Sequence, residues 1–345
     1  MEGSEATLAA NLGAFAVSAA VVWYAGSRLA YLSDALSDRL HLAKSLVGLL
    51  FLSLATSLPE VATTLTGAVQ QNSDLVLNNL FGGIALQTAI LAMSDFWATR
   101  SITSYPRKAN HALEAMLVVL LLSIVLIFTQ LGERISLAEV GLGSVIVAAV
   151  YGGAIALLRW YDDASDWVPV DLPDPDPLPF PAPTGLREES LRALFWHTAL
   201  AVLLILVFGL ALVLLADRIA EQSGLGTSFV GVTLLAGATS LPELTTSLTA
   251  VRIGAYTMAI SNIFGSNLIM VVLIFPADLL YRKSPILNDA SLTVDLSLTF
   301  GILVTTIYLI GLIVRRKPRV GRVGLDSVLV LICFATSLWV YYLAR

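Results

Sequence analysis

The hexapeptide Ala-Thr-Ser-Leu-Pro-Glu stands at residues 55–60 of the chain and again at residues 238–243. Each copy places a proline and a carboxylate inside a stretch that is otherwise apolar. Proline interrupts the hydrogen bonding of a helix, and an acidic side chain in hydrocarbon costs about 3 kcal/mol even on a lenient scale. Two copies therefore predict a single symmetric site in which Glu60 and Glu243 face each other.

The composition is that of an integral membrane protein. Of the 345 residues, 57% are hydrophobic and 13% are charged, and the mean hydropathy is +0.82, whereas a soluble domain carries about 25% charged residues. Apolar stretches long enough to cross about 30 Å of bilayer as a helix recur along the chain. They predict an all-α, multi-pass fold of ten transmembrane helices, at 8–32, 44–70, 75–95, 112–131, 137–159, 193–216, 227–252, 256–280, 291–314 and 323–344.

Several classes of function find no support in the sequence. There is no basic patch interleaved with aromatic residues, so nucleic acid is excluded as a partner. Cys333 is the only cysteine, which rules out an intramolecular disulfide. Hydrolase motifs and a Ser–His pairing are missing from the predicted membrane segments, and His41, His111 and His197 are interpreted as interfacial residues at helix ends. We therefore expect no enzymatic activity and no cofactor.

The offset of 183 residues between the two hexapeptides holds far beyond them. It relates further identical pairs: Asp34 and Asp217, Thr63 and Thr246, Asn79 and Asn262, Asp95 and Asp278, and Gly141 and Gly324. Each half holds five predicted helices, an odd number, so the second half must enter the membrane inverted. Inverted repeats are typical of secondary transporters, which bind substrate near mid-membrane. The predicted units are a repeat at 1–159, a linker at 160–192 and a second repeat at 193–345.

The loop charges predict the orientation of these units. If the N-terminus is outside, most loop lysine and arginine residues lie on the inner side, as the positive-inside rule requires. Both termini are therefore expected outside, in the plasma (inner) membrane, with the linker in the cytoplasm. The linker is rich in proline and aspartate, and its proline density favours extended chain. Its aspartates lack the spacing of a calcium loop, so a regulatory calcium site is the weaker interpretation.

Each hexapeptide supplies hard oxygen ligands. Pro59 frees the carbonyl of Ala55 from its helical partner, and Pro242 does the same for Ala238. Hydroxyl groups share the helix face of each glutamate: Thr56 and Ser57 with Glu60, and Thr239 and Ser240 with Glu243. Carboxylate, hydroxyl and carbonyl oxygens suit Na⁺ or Ca²⁺ rather than soft metals.

The helices that follow each hexapeptide are expected to form the opposite wall of the site. Their polar faces carry Asn79, Gly83 and Gln87 in the first half, and Asn262, Ser266 and Met270 in the second. The polar side chains among them are candidate cation ligands. For Asn79 and Asn262 the alternative interpretation is that they hydrogen bond one helix to another.

Two carboxylates in one dehydrated pocket do not comfortably both stay ionised when the pocket is empty. Glu60 and Glu243 would then hold a proton unless a cation is bound. Their combined charge is matched by one divalent ion, by two monovalent ions or by protons. Competition among these ions for one pocket is what an exchanger requires, because the loaded forms can cross and the bare charged form cannot.

The duplicated Thr-Ser-Leu-Pro-Glu, each copy followed about twenty residues later by Asn-x-x-Gly, resembles the alpha repeats of the cation/calcium exchanger superfamily, in particular its prokaryotic sodium/calcium exchangers. The resemblance implies ten helices in two inverted halves. It also implies exchange of Ca²⁺ for Na⁺ by alternating access, as the first and sixth helices slide across the central bundle. The cation ligands it implies here are Thr56, Ser57, Glu60, Thr239, Ser240, Glu243 and Ser266.

The sequence departs from the family pattern in the walls of the site. Gly-Ser-Asn at 265–267 corresponds to Gly-Gly-Ile at 82–84, and the position that usually carries Asn or Asp is Gln87 in one half and Met270 in the other. A thioether is a poor ligand for Ca²⁺ or Na⁺. We therefore expect a secondary active antiporter that exchanges Ca²⁺ for Na⁺, with a proton-coupled Ca²⁺ or Na⁺ antiporter of the same fold as the alternative. The sequence leaves the oligomeric state open.

Overall fold

The computed structural model describes residues 2–137, 139–164, 167, 185–186, 188–223, 236–315 and 318–343. Within these ranges, eight helices are long and apolar enough to cross a membrane, and a bent pair at Lys44–Thr56 and Leu58–Val69 makes a ninth span if it is counted as one. The protein is therefore a multi-pass helical membrane protein. The helix predicted at 227–252 lies partly outside the described residues.

Twelve helices of eight or more residues lie within the described ranges. In chain order they are α1 (Glu2–Leu40), α2 (Lys44–Thr56), α3 (Leu58–Val69), α4 (Ser73–Ser94), α5 (Asn110–Leu131), α6 (Leu142–Ala164), α7 (Leu191–Gln222), α8 (Leu241–Arg252), α9 (Tyr256–Val272), α10 (Ile274–Tyr281), α11 (Leu292–Val314) and α12 (Leu325–Leu343). Two antiparallel ribbons, β1 (Ser136–Leu137) with β2 (Val140–Gly141) and β3 (Arg319–Val320) with β4 (Val323–Gly324), precede α6 and α12. The segment predicted as one membrane helix at 256–280 is one candidate span, Tyr256–Tyr281, in which Leu273 separates α9 from α10.

The first hexapeptide breaks the membrane span that contains it. α2 passes through a π-helical stretch at Val47–Leu52 and ends at Thr56, and α3 continues from Leu58 at an angle of 50° to it. Pro59 lies in the first turn of α3. N–H groups in a first turn have no partner within the helix, so the missing N–H of Pro59 costs α3 no hydrogen bond. The second hexapeptide also contains an interruption, because Ser240 lies between a helical turn at 236–239 and the start of α8.

The helices that follow the hexapeptides lie at the centre of the protein. The spans containing α4 and α9 are 67% and 72% buried, whereas the other six spans are 17–44% buried. α9 packs against α2, α8, α5 and α4, and α4 also packs against α3. α1 and α7 lie against each other at the outside of the bundle. The core of the fold is therefore formed by the helices that follow the two hexapeptides, with the hexapeptide segments packed against them.

Two buried aspartates connect the first half of the chain with the second. Asp95, just after α4, accepts a hydrogen bond from the backbone N–H of Gly324 (2.7 Å). Asp278 on α10 accepts from the N–H of Gly141 (2.8 Å) and from the hydroxyl of Ser144 (2.6 Å). Both aspartates are 1% exposed. Each carboxylate thus caps the start of a helix in the opposite half, and neither is a solvated surface group.

Candidate functional site

Glu243 lies in the first turn of α8, is completely buried, and is surrounded by hydroxyl groups from both halves of the chain. The hydroxyl of Ser57 donates to its Oε1 at 3.2 Å, and that of Ser266 donates to the same oxygen at 3.5 Å. The hydroxyl of Thr56 is buried beside them and donates to the carbonyl of Ser53 (3.2 Å). Two of the predicted site residues, Ser57 and Ser266, therefore contact a third, Glu243.

Glu60 occupies the equivalent position in α3 but has a different environment. It is 2% exposed, and neither of its carboxylate oxygens has a hydrogen-bond partner among the described residues. The second oxygen of Glu243, Oε2, is equally unpartnered there. The charge of Glu243 acts on Glu60 by Coulomb repulsion. Such groups are costly to bury unless a ligand or a proton compensates them.

The difference between the two glutamates follows partly from the wall of the site. Ser266 reaches Glu243, but the residue in register with it in α4 is Gly83, which has no side chain to offer Glu60. Thr239 donates its hydroxyl back to the carbonyl of Ala236 (3.0 Å) and not to Glu60. Ser240 is buried in the helix break without a hydrogen bond to Glu60. Of the predicted hydroxyl ligands, Ser57 and Ser266 therefore contact Glu243, and none contacts the carboxylate of Glu60 among the described residues.

Asn79 and Asn262 hold neighbouring helices together. The amide of Asn79 donates to the hydroxyl of Thr64 (2.8 Å), which joins α4 to α3. The amide of Asn262 donates to the hydroxyls of Thr246 and Ser247 (3.1 Å each), which joins α9 to α8. These contacts favour the alternative interpretation of both residues, although Oδ1 of Asn262 has no partner within the described part of the chain.

The remaining wall residues are all buried in the core. Gln87 is 1% exposed and its Oε1 has no described partner, whereas Met270 is completely buried and brings no oxygen. Asn267 was not among the predicted ligands. It is completely buried, donates to the hydroxyl of Thr88 (3.4 Å) and keeps its Oδ1 unpartnered among the described residues. The Gly-Ser-Asn at 265–267 was the signal in the sequence that could have identified it.

Taken together, the buried oxygens are carboxylate, amide and hydroxyl groups in a helical membrane core. These are hard ligands of the kind that alkali and alkaline-earth cations bind. The salt bridges found between described residues involve neither Glu60 nor Glu243. No cluster of three or more His, Cys, Asp or Glu side chains suited to a transition metal occurs in those ranges either. The fold and the site define a class: a membrane transporter of inorganic cations.

The family comparison agrees with this class. The model of the family described as sodium/calcium exchanger protein matches residues 10–160 and again residues 193–343, which together are most of the chain. The chain therefore belongs to the sodium/calcium exchanger family, whose members are ion antiporters of the membrane and not enzymes.

Two of the relatives are distant and cover most of the chain, and a third is more similar over a shorter stretch. CaxA of Alkalimonas amylolytica, named as an antiporter, is 24% identical over 73% of this chain and 74% of its own length. The inner membrane protein YrbG of Escherichia coli is 24% identical over 88% of each chain. The human sodium/potassium/calcium exchanger 1 is 34% identical over 92 residues, 26% of this chain and 8% of that protein.

A solved structure has the same fold. The sodium–calcium exchanger NCX_Mj, in a crystal soaked with Na⁺ and Sr²⁺, superimposes with a TM-score of 0.71 at 16% sequence identity, and the match covers 96% of this chain and 99% of that one. The same exchanger soaked without Na⁺ or Ca²⁺ gives a TM-score of 0.68.

Proposed function

We propose that this protein is a secondary active antiporter that exchanges Ca²⁺ for Na⁺ by alternating access, with Glu60 and Glu243 as the central cation ligands. The observation that carries the proposal is that both carboxylates are buried in the membrane core and keep three oxygens without a hydrogen-bond partner among the described residues. The names of the family and of NCX_Mj supply the two ions.

The charge of the pair fits this exchange. Two buried carboxylates need about two positive charges, because an isolated ion in a medium of low dielectric is strongly destabilised. One Ca²⁺ or two Na⁺ satisfies that need equally well, so the two cargoes compete for the same oxygens. The hydroxyls of Ser57 and Ser266 lie within 3.5 Å of Glu243 Oε1 and can add further oxygen ligands without adding charge.

The proposed architecture has ten membrane helices in two inverted five-helix repeats, at 1–159 and 193–345. Two observations support the repeat: one family model matches each half at the same offset, and Asp95 and Asp278 make equivalent hydrogen bonds to the opposite half. We place both termini outside and the linker 160–192 in the cytoplasm, as the loop charges predict. The name of YrbG supports an inner-membrane location.

Alternating access is assigned to α1 and α7, which lie at the outside of the bundle. Each crosses the motif helix of the opposite half at a glycine: Gly26 of α1 against Thr245 of α8, and Gly209 of α7 against Pro59 of α3. A Cβ at either glycine would collide with the facing side chain. The two glycines are 183 residues apart. Because neither has a side chain, each helix can slide over the facing motif helix as the site opens to one side and then to the other.

The alternative is a proton-coupled antiporter of the same fold. It is favoured by Met270, which is completely buried in the wall and supplies no oxygen where the family carries Asn or Asp. With one ligand fewer, the site has less capacity for several bound Na⁺. Protons on Glu60 and Glu243 would then replace Na⁺ as the counter-ion.

A flux experiment separates these functions. Purified protein in liposomes loaded with a calcium indicator is given first an imposed Na⁺ gradient and then an imposed pH gradient. Sodium/calcium exchange predicts Ca²⁺ movement with the Na⁺ gradient alone, and proton coupling predicts movement with the pH gradient alone. Glu60→Gln and Glu243→Gln should be inactive, whereas Glu221→Gln, at an exposed carboxylate near the end of α7, should be active. If neither gradient moves Ca²⁺, the calcium assignment is wrong.

A further inference from the structure

Buried polar side chains also cluster outside the candidate site. Between α5 and α9, the hydroxyl of Ser261 donates to Glu114 and lies 3.0 Å from Nδ1 of His111. These side chains are at most 3% exposed, so the interpretation of His111 as an interfacial residue is wrong. Another cluster lies where α4 ends and α12 begins, and one of its buried hydroxyls has no hydrogen-bond partner among the described residues.

This other cluster, here called the aspartate cluster, is built around two buried acids. Asp95 follows α4 and Asp326 lies in the first turn of α12, and they are 1% and 5% exposed. Oδ2 of Asp326 accepts a hydrogen bond from the hydroxyl of Thr103 (2.8 Å), whose oxygen lies 2.8 Å from that of Ser101. The charges of the two aspartates repel each other. Gln87, in the wall of the candidate site, precedes Asp95 by eight residues, about 12 Å of helix, so the aspartates occupy a separate place in the fold.

The fifth member of the aspartate cluster is Tyr308 of α11, which supplies the hydroxyl without a partner. Its side chain is 1% exposed, and its oxygen makes no hydrogen bond to a described residue. Gly311, one turn later on the same face of α11, lies against Asp326, because a Cβ built there would collide with that carboxylate. The charges of Asp95 and Asp326 both act on the phenol group. Such a hydroxyl is costly to bury unless a ligand compensates it.

The other half of the chain shows which of these groups the fold requires. The aspartate cap is common to both halves, since Asp278 in register with Asp95 caps α6 as Asp95 caps α12. Three other oxygen groups are not repeated: Asp326, Thr103 and Tyr308 correspond to Gly143, Ile286 and Val125. The connection between the halves therefore forms without them, and their convergence on one place needs a different explanation.

We propose that Asp95, Asp326 and Tyr308 form a second Ca²⁺ site, separate from the site for exchange and completed by the hydroxyls of Ser101 and Thr103. The two carboxylates balance the charge of one divalent cation, and the phenol and hydroxyl groups add hard oxygen ligands. A carboxylate oxygen that accepts one hydrogen bond keeps a second lone pair for a cation. Ca²⁺ tolerates the irregular geometry of ligands from separate segments, whereas Mg²⁺ requires a near-ideal octahedron.

The basic side chains near the aspartate cluster limit its affinity. Arg315, after α11, donates to the carbonyls of Ser104 and Pro106. Arg319 of β3 donates to the carbonyl of Thr99. Both guanidinium groups bind backbone carbonyls next to the cluster, and their charge opposes a cation there. We therefore expect a weak site, with a Kd of about 10⁻⁴ M, that fills only when Ca²⁺ is raised at this end of the bundle, which the proposed orientation makes the cytoplasmic end.

A cation in this site would join three parts of the chain. Asp95 belongs to the segment that follows α4, Tyr308 to α11 and Asp326 to α12. Both α11 and α12 pack against α4, and α4 forms one wall of the candidate site. Binding of Ca²⁺ should therefore stabilise the folded protein even when the site for exchange has been removed.

The test measures binding of radioactive Ca²⁺ by equilibrium dialysis in detergent, with the full chain carrying both Glu60→Gln and Glu243→Gln. We expect this parent variant to retain one Ca²⁺ per chain. Adding Asp326→Asn should weaken that binding at least about 100-fold, because it removes one of two charges. Adding Tyr308→Phe should weaken it about tenfold. Tyr308→Phe keeps the ring that packs edge-on against Phe264, so it tests the phenol oxygen without the loss of packing.

The matched control is Glu133→Gln in the same parent variant. Glu133 is 8% exposed and experiences the charge of Asp278 at the opposite end of the bundle, where Val125 takes the place of Tyr308. Binding by this control should equal that of the parent. No binding by the parent, loss of binding in the control, or unchanged binding by Tyr308→Phe would each overturn the second site.

Thermal unfolding separates loss of the ligand from loss of the fold. Ca²⁺ should raise the melting temperature of the parent variant and of Glu133→Gln, but not that of Asp326→Asn. An equal rise in Asp326→Asn would also overturn the second site. The exchange function is judged separately by flux through the wild type, and a wild type that moves no Ca²⁺ would overturn that function alone.

Discussion

The two hexapeptides have the same sequence, but their glutamates have different surroundings. Glu243 accepts hydrogen bonds from Ser57 and Ser266, whereas Glu60 has no hydrogen-bond partner among the described residues. Part of the difference is in the sequence, because Gly83 replaces a serine. The rest of the difference does not come from the sequence, because Ser57 and Ser240 occupy equivalent positions and yet only Ser57 contacts the facing glutamate. In the proposed inverted repeat, a site open to one side would require the two halves to adopt unlike conformations, so identical motifs would differ in any one state.

Neutralising either glutamate should have the largest effect on exchange. Glu60→Gln and Glu243→Gln should each reduce exchange at least about 100-fold, because a neutral amide cannot replace a carboxylate that balances cation charge. Their effects on stability without cations should differ. Glu60→Gln removes a buried charge that has no described hydrogen bond, and should raise the melting temperature in chelator at alkaline pH. Glu243→Gln also weakens the hydrogen bonds from Ser57 and Ser266, and should therefore not raise the melting temperature.

Thermal unfolding of both variants, with and without Ca²⁺, measures this difference. The wild type should be stabilised by Ca²⁺, and both variants should lose that stabilisation. Equal melting temperatures of the two variants in chelator would show that the glutamates are equivalent in the protein, and full exchange by either variant would refute the paired site.

Adding an oxygen ligand to the wall should change selectivity by about tenfold. Met270→Asp places a carboxylate in a completely buried position where the family usually carries Asn or Asp. A third negative charge should raise the apparent affinity for Na⁺ about tenfold and strengthen the response to an imposed Na⁺ gradient. Met270→Leu, which conserves volume, is the control and should exchange within about twofold of the wild type. If Met270→Asp and Met270→Leu show equal Na⁺ dependence, α9 does not reach the ions at this position.

Much of the site follows from local chemistry and could be read from the sequence. The helix interruptions coincide with Pro59 and Pro242, and the burial of both glutamates was expected from the apolar segments around them. The roles of other residues depend on how distant helices pack. The pairing of His111 with Ser261 joins positions 150 residues apart, and no spacing within α5 or α9 encodes it. The π-helical stretch in α2 likewise has no local marker in the sequence.

Supplying the hydroxyl that Glu60 lacks should reduce the difference between the halves. No described atom lies within 4 Å of a Cβ built at Gly83, so a serine can be accommodated there, and its hydroxyl bonds to Glu60 if the carboxylate turns toward α4. A hydrogen bond to a carboxylate contributes roughly 1.5–3 kcal/mol, part of which is lost to the helix propensity and ordering of the new side chain. Gly83→Ser should therefore be more stable than Gly83→Ala by about 1 kcal/mol, by denaturant or thermal unfolding in chelator.

The Gly83→Ala variant controls for the effect of any Cβ on helix α4. In the Gly83→Ser background, Glu60→Gln should no longer raise the melting temperature, because the substitution then also weakens the hydrogen bond from the new serine hydroxyl. An unchanged effect of Glu60→Gln would mean that the new hydroxyl points away from the site.

The smallest predicted difference between the halves lies at the end of the bundle, at Glu133. This residue precedes β1, and its counterpart in register is Arg316. The side chain is 8% exposed, accepts a hydrogen bond from the N–H of Gly143, and leaves Oε2 without a partner among the described residues. Burial raises the pKa of the Glu133 carboxyl above its ordinary value of 4.5, and the charge of Asp278 raises the pKa further, while the bond from Gly143 opposes both.

A raised pKa in the folded protein means that the folded state binds the proton more tightly than the unfolded state. The contribution of Glu133 to stability is therefore fully present below about pH 4.5 and is lost as the pH rises through the folded pKa. Glu133→Gln should match the wild type in acid and exceed it at neutral pH, by no more than about 1 kcal/mol. Thermal unfolding from acid to neutral pH measures this, with Glu221→Gln as the exposed control. A Glu133→Gln variant that is less stable at neutral pH would show that the ionised carboxylate is needed to hold β2 and the start of α6.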